Sequence, residues 1–196
     1  MGRPKEHGTR TREALLAAAT EILGHEGAGA VSVRRVAEQA GTTTRAVYVL
    51  FGDKQGLLRA LFHVAAETMR RHHEAVPVDE DPLRELMALP GAYRAAAREQ
   101  PFLYSLFVGN QEVRPTEEDL ALALRSFHRV QDAIGRAIAC GLFAGRDQEA
   151  VGRQLWAVVH GLASLELAGC LGDEEQAAAH WRELTDATMR GYLTSS

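Results

Sequence analysis

Apolar side chains recur three and four positions apart along almost the whole chain, and nowhere do they alternate one by one. The first spacing gives a helix one buried stripe, while a half-buried strand needs the second. The expected fold is therefore all-α, with about nine helices. The first starts at Thr9 or Thr11, whose hydroxyls can cap free N–H groups. It buries Leu15, Leu16, Ala19, Ile22 and Leu23, and stops at Gly24 and Gly27. A short second helix follows Ser32 and ends at Gly41, and a short third runs from the threonines at 42–44 to Gly52. Asp53 is placed to cap a fourth, striped by Leu57, Leu58, Leu61, Phe62, Ala65 and Met69. After a loop at 77–82, a fifth spans 83–99, with Pro90-Gly91 expected to kink or split it. Pro101 opens a short sixth. The seventh carries Leu120, Leu124, Phe127, Val130, Ile134, Ile138 and Leu142 on one continuous face. The eighth carries Val151, Leu155, Val158, Val159, Leu162 and Leu165, and the last Ala177, Trp181, Leu184, Thr188 and Tyr192.

The second and third helices, joined by a tight turn at Gly41, have the layout of a helix-turn-helix, whose second helix is offered to the DNA major groove. Ala37 is small enough for a close crossing, and Val36, Val47 and Phe51 are placed to face inward. Thr44, Arg45, Tyr48 and Val49 then lie on or beside the outer face. Arginine can bond guanine O6 and N7, threonine and valine methyls can meet the thymine methyl, and hydroxyls can hold phosphates.

These residues resemble the TetR-type transcriptional regulators. The run 41–57, Gly-Thr-Thr-Thr-Arg-Ala-Val-Tyr-Val-Leu-Phe-Gly-Asp-Lys-Gln-Gly-Leu, is similar to that family's recognition helix and the start of its fourth helix. Residues 11–27 and 32–40 are similar to its first two helices. The resemblance implies phosphate contacts by Thr43, Tyr48 and Lys54, and places Ser32, Thr42, Thr44, Arg45 and Val49 in the same DNA interface. Three departures bear on sequence choice: Arg45 stands where the family commonly has glycine, Leu50 where it has His or Tyr, and Thr42 where it has an apolar residue. Upstream, Arg3, Lys5, Arg10 and Arg12 form a basic arm able to reach phosphate or the minor groove.

Past residue 80 the chain resembles the WHG-type C-terminal domain of some of these regulators. The residues are Tyr93, the run Pro101-Phe-Leu-Tyr104-Ser-Leu-Phe107, and Trp156-Ala-Val-Val-His160-Gly161. The resemblance implies a helical domain for ligand response and dimerisation. Tyr93, Tyr104, Phe107, Phe127, Trp156 and His160 are its candidate ligand residues, with a place in the core as the default for each. Gly161, Leu162, Leu165, Gly169, Trp181 and Leu184 are its candidate dimer residues. A homodimer is also required by reach, since one short helix reads too few base pairs alone. The expected division is a DNA-binding domain at 1–54 and a ligand-binding and dimerisation domain at 55–196.

Composition narrows the alternatives. The 196 residues carry a net charge of -4, but residues 1–60 hold nine Lys/Arg against six Asp/Glu, and the remainder thirteen against twenty. The basic excess falls on the candidate DNA-binding end and the acidic excess on the body. No apolar run approaches the ~20 residues of a membrane helix, and the polar, basic N-terminus is unlike a secretory signal, so a cytoplasmic protein is expected. Cys140 and Cys170 both fall in apolar helical patterns and lack the spacing of a zinc or redox motif. The eight histidines form no His-Glu-x-x-His motif, and no nucleophile pairs with a base by spacing. Neither a cofactor, a metal nor an enzymatic activity is expected. The partners expected are an operator duplex, a small-molecule effector and a second copy of the chain. The competing reading is a helical small-molecule-binding protein or adaptor without sequence-specific DNA binding.

Overall fold

In a computed structural model of the chain, residues 3–107 and 113–194 are described, with side chains for 8–106 and 113–194. All regular structure among them is helical. Ten α-helices run in order: α1 (Arg3–Glu26), α2 (Val33–Gln39), α3 (Thr44–Phe51), α4 (Lys54–Ala75), α5 (Pro82–Glu99), α6 (Pro101–Phe107), α7 (Glu117–Arg125), α8 (His128–Ala139), α9 (Gln148–Leu167) and α10 (Glu174–Tyr192). A 3-10 turn at Ala28–Ala30 separates α1 from α2.

The chain folds as two compact units that interleave in sequence: Met1–Glu67 with Gln100–Ala123, and Thr68–Glu99 with Leu124–Ser196. In the first, Leu15, Ala19, Val31, Val36, Val47, Leu57, Leu58 and Leu61 share one buried core, joined by Leu103 and Leu106 of α6. Apart from Val31, which follows the 3-10 turn, the core residues of α1 to α4 are the apolar positions that helical spacing selects, and each buried aliphatic side chain larger than alanine contributes about 1.5 to 3 kcal/mol. In the second, Leu86 and Leu89 of α5, Ala133, Ile134 and Ala137 of α8, Val151 and Leu155 of α9, and Met189 and Tyr192 of α10 close around Phe143.

The structure corrects several expected boundaries. Helix α1 starts at Arg3, so Arg10 and Arg12 are helical residues. Helix α5 runs unbroken through Pro90. One missing backbone bond there is outweighed by Leu86, Leu89 and Tyr93, all buried within 2 % exposure on either side of it. The continuous seventh helix is two, and the count is ten among the described residues. The break falls at Ser126 and Phe127, where the buried His73 ring donates from Nδ1 to the Ser126 carbonyl at 2.8 Å. On α10 the buried positions are Ala177, Trp181, Thr185, Met189 and Tyr192, whereas Leu184 is exposed. The Thr185 hydroxyl donates to the Trp181 carbonyl at 2.6 Å, which lets a polar side chain turn inward. Cys140 caps the end of α8 and Cys170 lies in the turn after α9, both exposed rather than set in helices.

Candidate nucleic-acid interface and effector site

Two side-chain caps define the helix-turn-helix. The Ser32 hydroxyl accepts the Arg35 N–H at 3.3 Å to start α2, and the Thr43 hydroxyl accepts the Ala46 N–H at 3.3 Å to start α3. Between them Gly41 takes φ 63°, in the left-handed region open to glycine. Val36, Ala37 and Val47 are buried, which fixes the roll of α3. Its opposite side presents Thr44, Arg45, Tyr48 and Val49, the last two 57 % and 76 % exposed. Two large apolar or aromatic side chains side by side in solvent have no packing role, and they flank Arg45 by one turn.

Around this face, Asp53 accepts the Gly56 N–H at 2.7 Å and caps α4, whose first residue is Lys54. The Lys54 ammonium lies 3.5 Å from the Gly29 carbonyl, so it bridges the start of α4 to the 3-10 turn. The Arg12 guanidinium stacks over the Phe51 ring, 5.6 Å from its centroid. Ser32 and Thr42 are half-buried beside the turn, and Arg10 is exposed on α1. The side chains of Arg3 and Lys5 lie outside the described residues. Sequence spacing thus identifies the whole exposed set on α3, with Thr43 serving also as its cap.

In the second unit, four of the six candidate effector residues converge. The Tyr93, Phe127 and His73 rings meet with centroids 5.7 to 6.2 Å apart. Phe127 then touches Trp156 edge-on at 6.4 Å, and Trp156 stacks on His160 at 5.8 Å. The chain of rings runs from fully buried Tyr93 to Trp156, which is 42 % exposed. Tyr104 is buried in the first unit and Phe107 belongs to that unit too, so these two are not part of the cluster's unit. Sequence spacing does not single out His73. It sits in a His-His pair on a charged stretch, and only the ring contacts reveal it. Burial holds its proton affinity below the usual histidine range against the opposing Ser126 bond, and the charges of His72 and Arg129 push the same way as burial. Burial likewise depresses His160.

The candidate dimer residues separate into two sets. Leu162 is buried, and Trp181 is 4 % exposed with its indole N–H donating to Glu166 at 2.6 Å. Burial works to raise the Glu166 carboxyl, but hydrogen bonds from Arg94 and Trp181 outweigh it and hold the group below its usual range. Trp181 thus locks α10 to α9 within the subunit. Leu165 and Leu184 are 49 % and 46 % exposed, Gly161 is half-buried, and Gly169 ends α9 at φ 72°. No group of three metal-binding side chains occurs among the described residues, and no described helix is long and apolar enough to cross a membrane.

Residues 15–61 match the model of the bacterial regulatory proteins of the tetR family, and residues 86–188 that of the tetracyclin repressor-like C-terminal domain. The chain belongs to the TetR family. It is a DNA-binding transcriptional regulator with a TetR-type head and a TetR-type C-terminal domain. Among solved structures it is similar to a protein of unknown function from Rhodococcus sp. RHA1, at 26 % identity and TM-score 0.78, over 94 % of this chain and 96 % of that one. The TetR family transcriptional regulator PfmR from Thermus thermophilus shares the fold at 20 % identity and TM-score 0.74, over 94 % and 98 %. A TetR family transcription regulator from Marinobacter aquaeolei VT8 does so at 20 % identity and TM-score 0.73, over 93 % and 97 %. No curated protein matches the sequence.

Proposed function

We propose that this TetR regulator is a cytoplasmic homodimeric repressor, held on a pseudo-palindromic operator and released by a small-molecule effector, with no enzymatic activity of its own. The observation that carries the reading is the outer face of α3, where Thr44, Arg45, Tyr48 and Val49 stand in solvent above the buried Val47. Arg45 reads a base edge, while Thr43, Tyr48 and Lys54 hold phosphates; Ser32, Thr42 and the basic start of α1, with Arg3, Lys5 and Arg10, add backbone contacts. The functional division follows: residues 1–54 read DNA, and 55–196 bind the effector and the partner subunit.

The effector occupies the ring cluster of Tyr93, Phe127, Trp156 and His160, in a C-terminal domain of the WHG type named for the Trp156 and His160-Gly161 residues. Leu165, Leu184, Gly161 and Gly169 supply the dimer face, with Leu162 and Trp181 supporting it from inside. Because α4 carries both Lys54 and His73, a ligand that favours another position of α4 changes the fit of the head to DNA. A hundredfold loss of operator affinity takes about 2.7 kcal/mol of coupling, within the usual 1 to 3. The mass of the complex formed on a single selected operator tests the reading. Two subunits per duplex are expected, and a complex of one subunit with one site refutes the dimeric repressor.

A further inference from the structure

The burial pattern of α3 fixes which of its side chains reach furthest from the subunit. Val47 is fully buried and marks the inward direction. Successive residues of an α-helix turn by about 100°, so Arg45 and Val49, two positions to either side of Val47, each lie about 160° from it and only about 40° apart. Thr44 and Tyr48 fall about 60° and 100° from Val47 on one flank, and Ala46 and Leu50 as far on the other, where Leu50 packs against the core. Arg45 and Val49 therefore form the tip of the helix, separated along its axis by about 6 Å. Both are uncommitted within the subunit. On α2 Arg35 is held by Glu26 at 2.8 Å and Gln39 by Glu21 at 2.6 Å, but the Arg45 guanidinium makes no ion pair among the described residues. Val49 is 76 % exposed, and its branched side chain has one strongly preferred rotamer in a helix, which holds its methyls in place before any partner arrives.

The chemistry at this tip is narrow. Arginine matches the paired acceptors of guanine, O6 and N7, and the apolar group a valine can meet in the major groove is the 5-methyl of thymine. Bidentate reading of adenine takes an Asn or Gln amide, and reading of the cytosine amino group takes a carboxylate; α3, Thr44–Phe51, contains neither. Resting on the reading of α3 as the helix that enters the major groove, we infer that each operator half-site is specified by a guanine beneath Arg45 and a thymine methyl beneath Val49, within two base pairs of each other. The spacing follows from the rise of about 6 Å between the two side chains against about 3.4 Å per base pair. Thr44 and Tyr48, on the flank, face a groove wall, where hydroxyls meet phosphate.

Base analogues in the operator test this with the protein untouched. Duplexes selected by the full chain from a random pool should carry a guanine and a thymine within two base pairs in every half-site. Deoxyuridine in place of that thymine removes only the 5-methyl, and should weaken binding about fourfold per half-site, the worth of one buried carbon at about 0.8 kcal/mol. Replacing the guanine by 7-deazaguanine removes the N7 acceptor and should cost at least about fivefold, the low end for a lost bidentate contact. Val49→Ala should abolish the first loss and keep the second, and Arg45→Ala the reverse; low salt keeps both variants on the duplex, because phosphate attraction strengthens there. Half-sites without such a pair overturn the inference and leave a sequence-specific regulator standing. Deoxyuridine that costs nothing, or costs Val49→Ala as much as the native protein, overturns it too, as does a 7-deazaguanine loss that survives Arg45→Ala. A pool with no enriched half-site removes the reading of α3 on which the inference rests.

Discussion

Trp181 and Leu184 lie three residues apart on α10, about 60° apart around its axis, yet the first is buried and the second exposed, and substituting each separates the subunit's own stability from its association. Trp181 is 4 % exposed and its indole N–H donates to Glu166 at 2.6 Å. Trp181→Phe keeps an aromatic ring but deletes that charge-assisted bond, worth about 1.5 to 3 kcal/mol. Arg94 still holds the Glu166 carboxylate through three hydrogen bonds of 2.6 to 3.0 Å, so the acceptor is not orphaned and the low end applies. The space left by the smaller ring adds on the order of 1 kcal/mol. The expected loss is therefore about 2 to 3 kcal/mol. Leu184 is 46 % exposed, so Leu184→Glu should leave the subunit's stability within about 0.5 kcal/mol. On a two-fold dimer face it buries two unpaired carboxylates, at about 3 kcal/mol or more, and weakens association at least a hundredfold. Urea unfolding followed by far-ultraviolet circular dichroism at several protein concentrations reads the first quantity, and sedimentation velocity the second. A Trp181→Phe protein that dissociates without losing subunit stability would place the indole in the interface and refute the inward assignment. A Leu184→Glu protein that still sediments as a dimer refutes the α10 face.

Arg45→Ala should leave the unfolding midpoint unchanged, since the side chain is exposed. It should cost about 1 to 3 kcal/mol per half-site and relax preference at one base position. Binding to a set of single-base operator variants checks this, and a uniform loss across the set assigns Arg45 to phosphate instead. Lys54→Ala should weaken every duplex alike and lower the salt slope by roughly one unit for each phosphate the ammonium neutralises; an unchanged slope removes Lys54 from the interface. The pH dependence of stability follows from His73, whose proton affinity is lower folded than unfolded. The unfolded chain binds the extra proton, so stability is full above the unfolded value of about 6.5 and falls as the pH drops below it. The slope reaches at most ~1.4 kcal/mol per unit until the folded ring protonates too. Glu99, held at about 2 by Arg71 and His72, loses its contribution only between 4.5 and about 2, so the two windows separate in an acid titration. His160, whose proton affinity burial also depresses, contributes with the same sign, so His73→Asn should make the upper slope shallower without removing it, and a slope left unchanged just below about pH 6.5 assigns the window to His160 or another group.

The helix-turn-helix was legible because every device in it is local. Thr43 caps three residues ahead of Ala46, Gly41 supplies the left-handed turn, and Val47 sits where the helical period places it. The break between α7 and α8 was not, because the apolar spacing continues straight through Leu124, Phe127 and Val130 with no glycine or proline. What ends α7 comes from 53 positions earlier, where His73 claims the Ser126 carbonyl. The same distance hid His73 itself. On α10 the sequence reading takes the stripe through Leu184 and Thr188, whereas the burial runs through the neighbouring one of Thr185 and Met189. Hydrophobicity favours neither decisively, since each pairs one apolar side chain with one threonine. The Thr185 bond to the Trp181 carbonyl, invisible in a linear pattern, permits the second. Four effector candidates met because aromatic side chains on α5, on α9 and at the start of α8 share one core, whereas Tyr104 and Phe107 ride on α6, which packs with the head.

Selection of bound duplexes from a random pool by the purified full chain measures the central point most directly. A sequence-specific dimeric regulator enriches a pseudo-palindrome with half-sites about one helical turn, or ~34 Å, apart or a multiple of it, and loses affinity steeply as salt rises. A pool that yields no palindrome, or binding insensitive to salt, contradicts it.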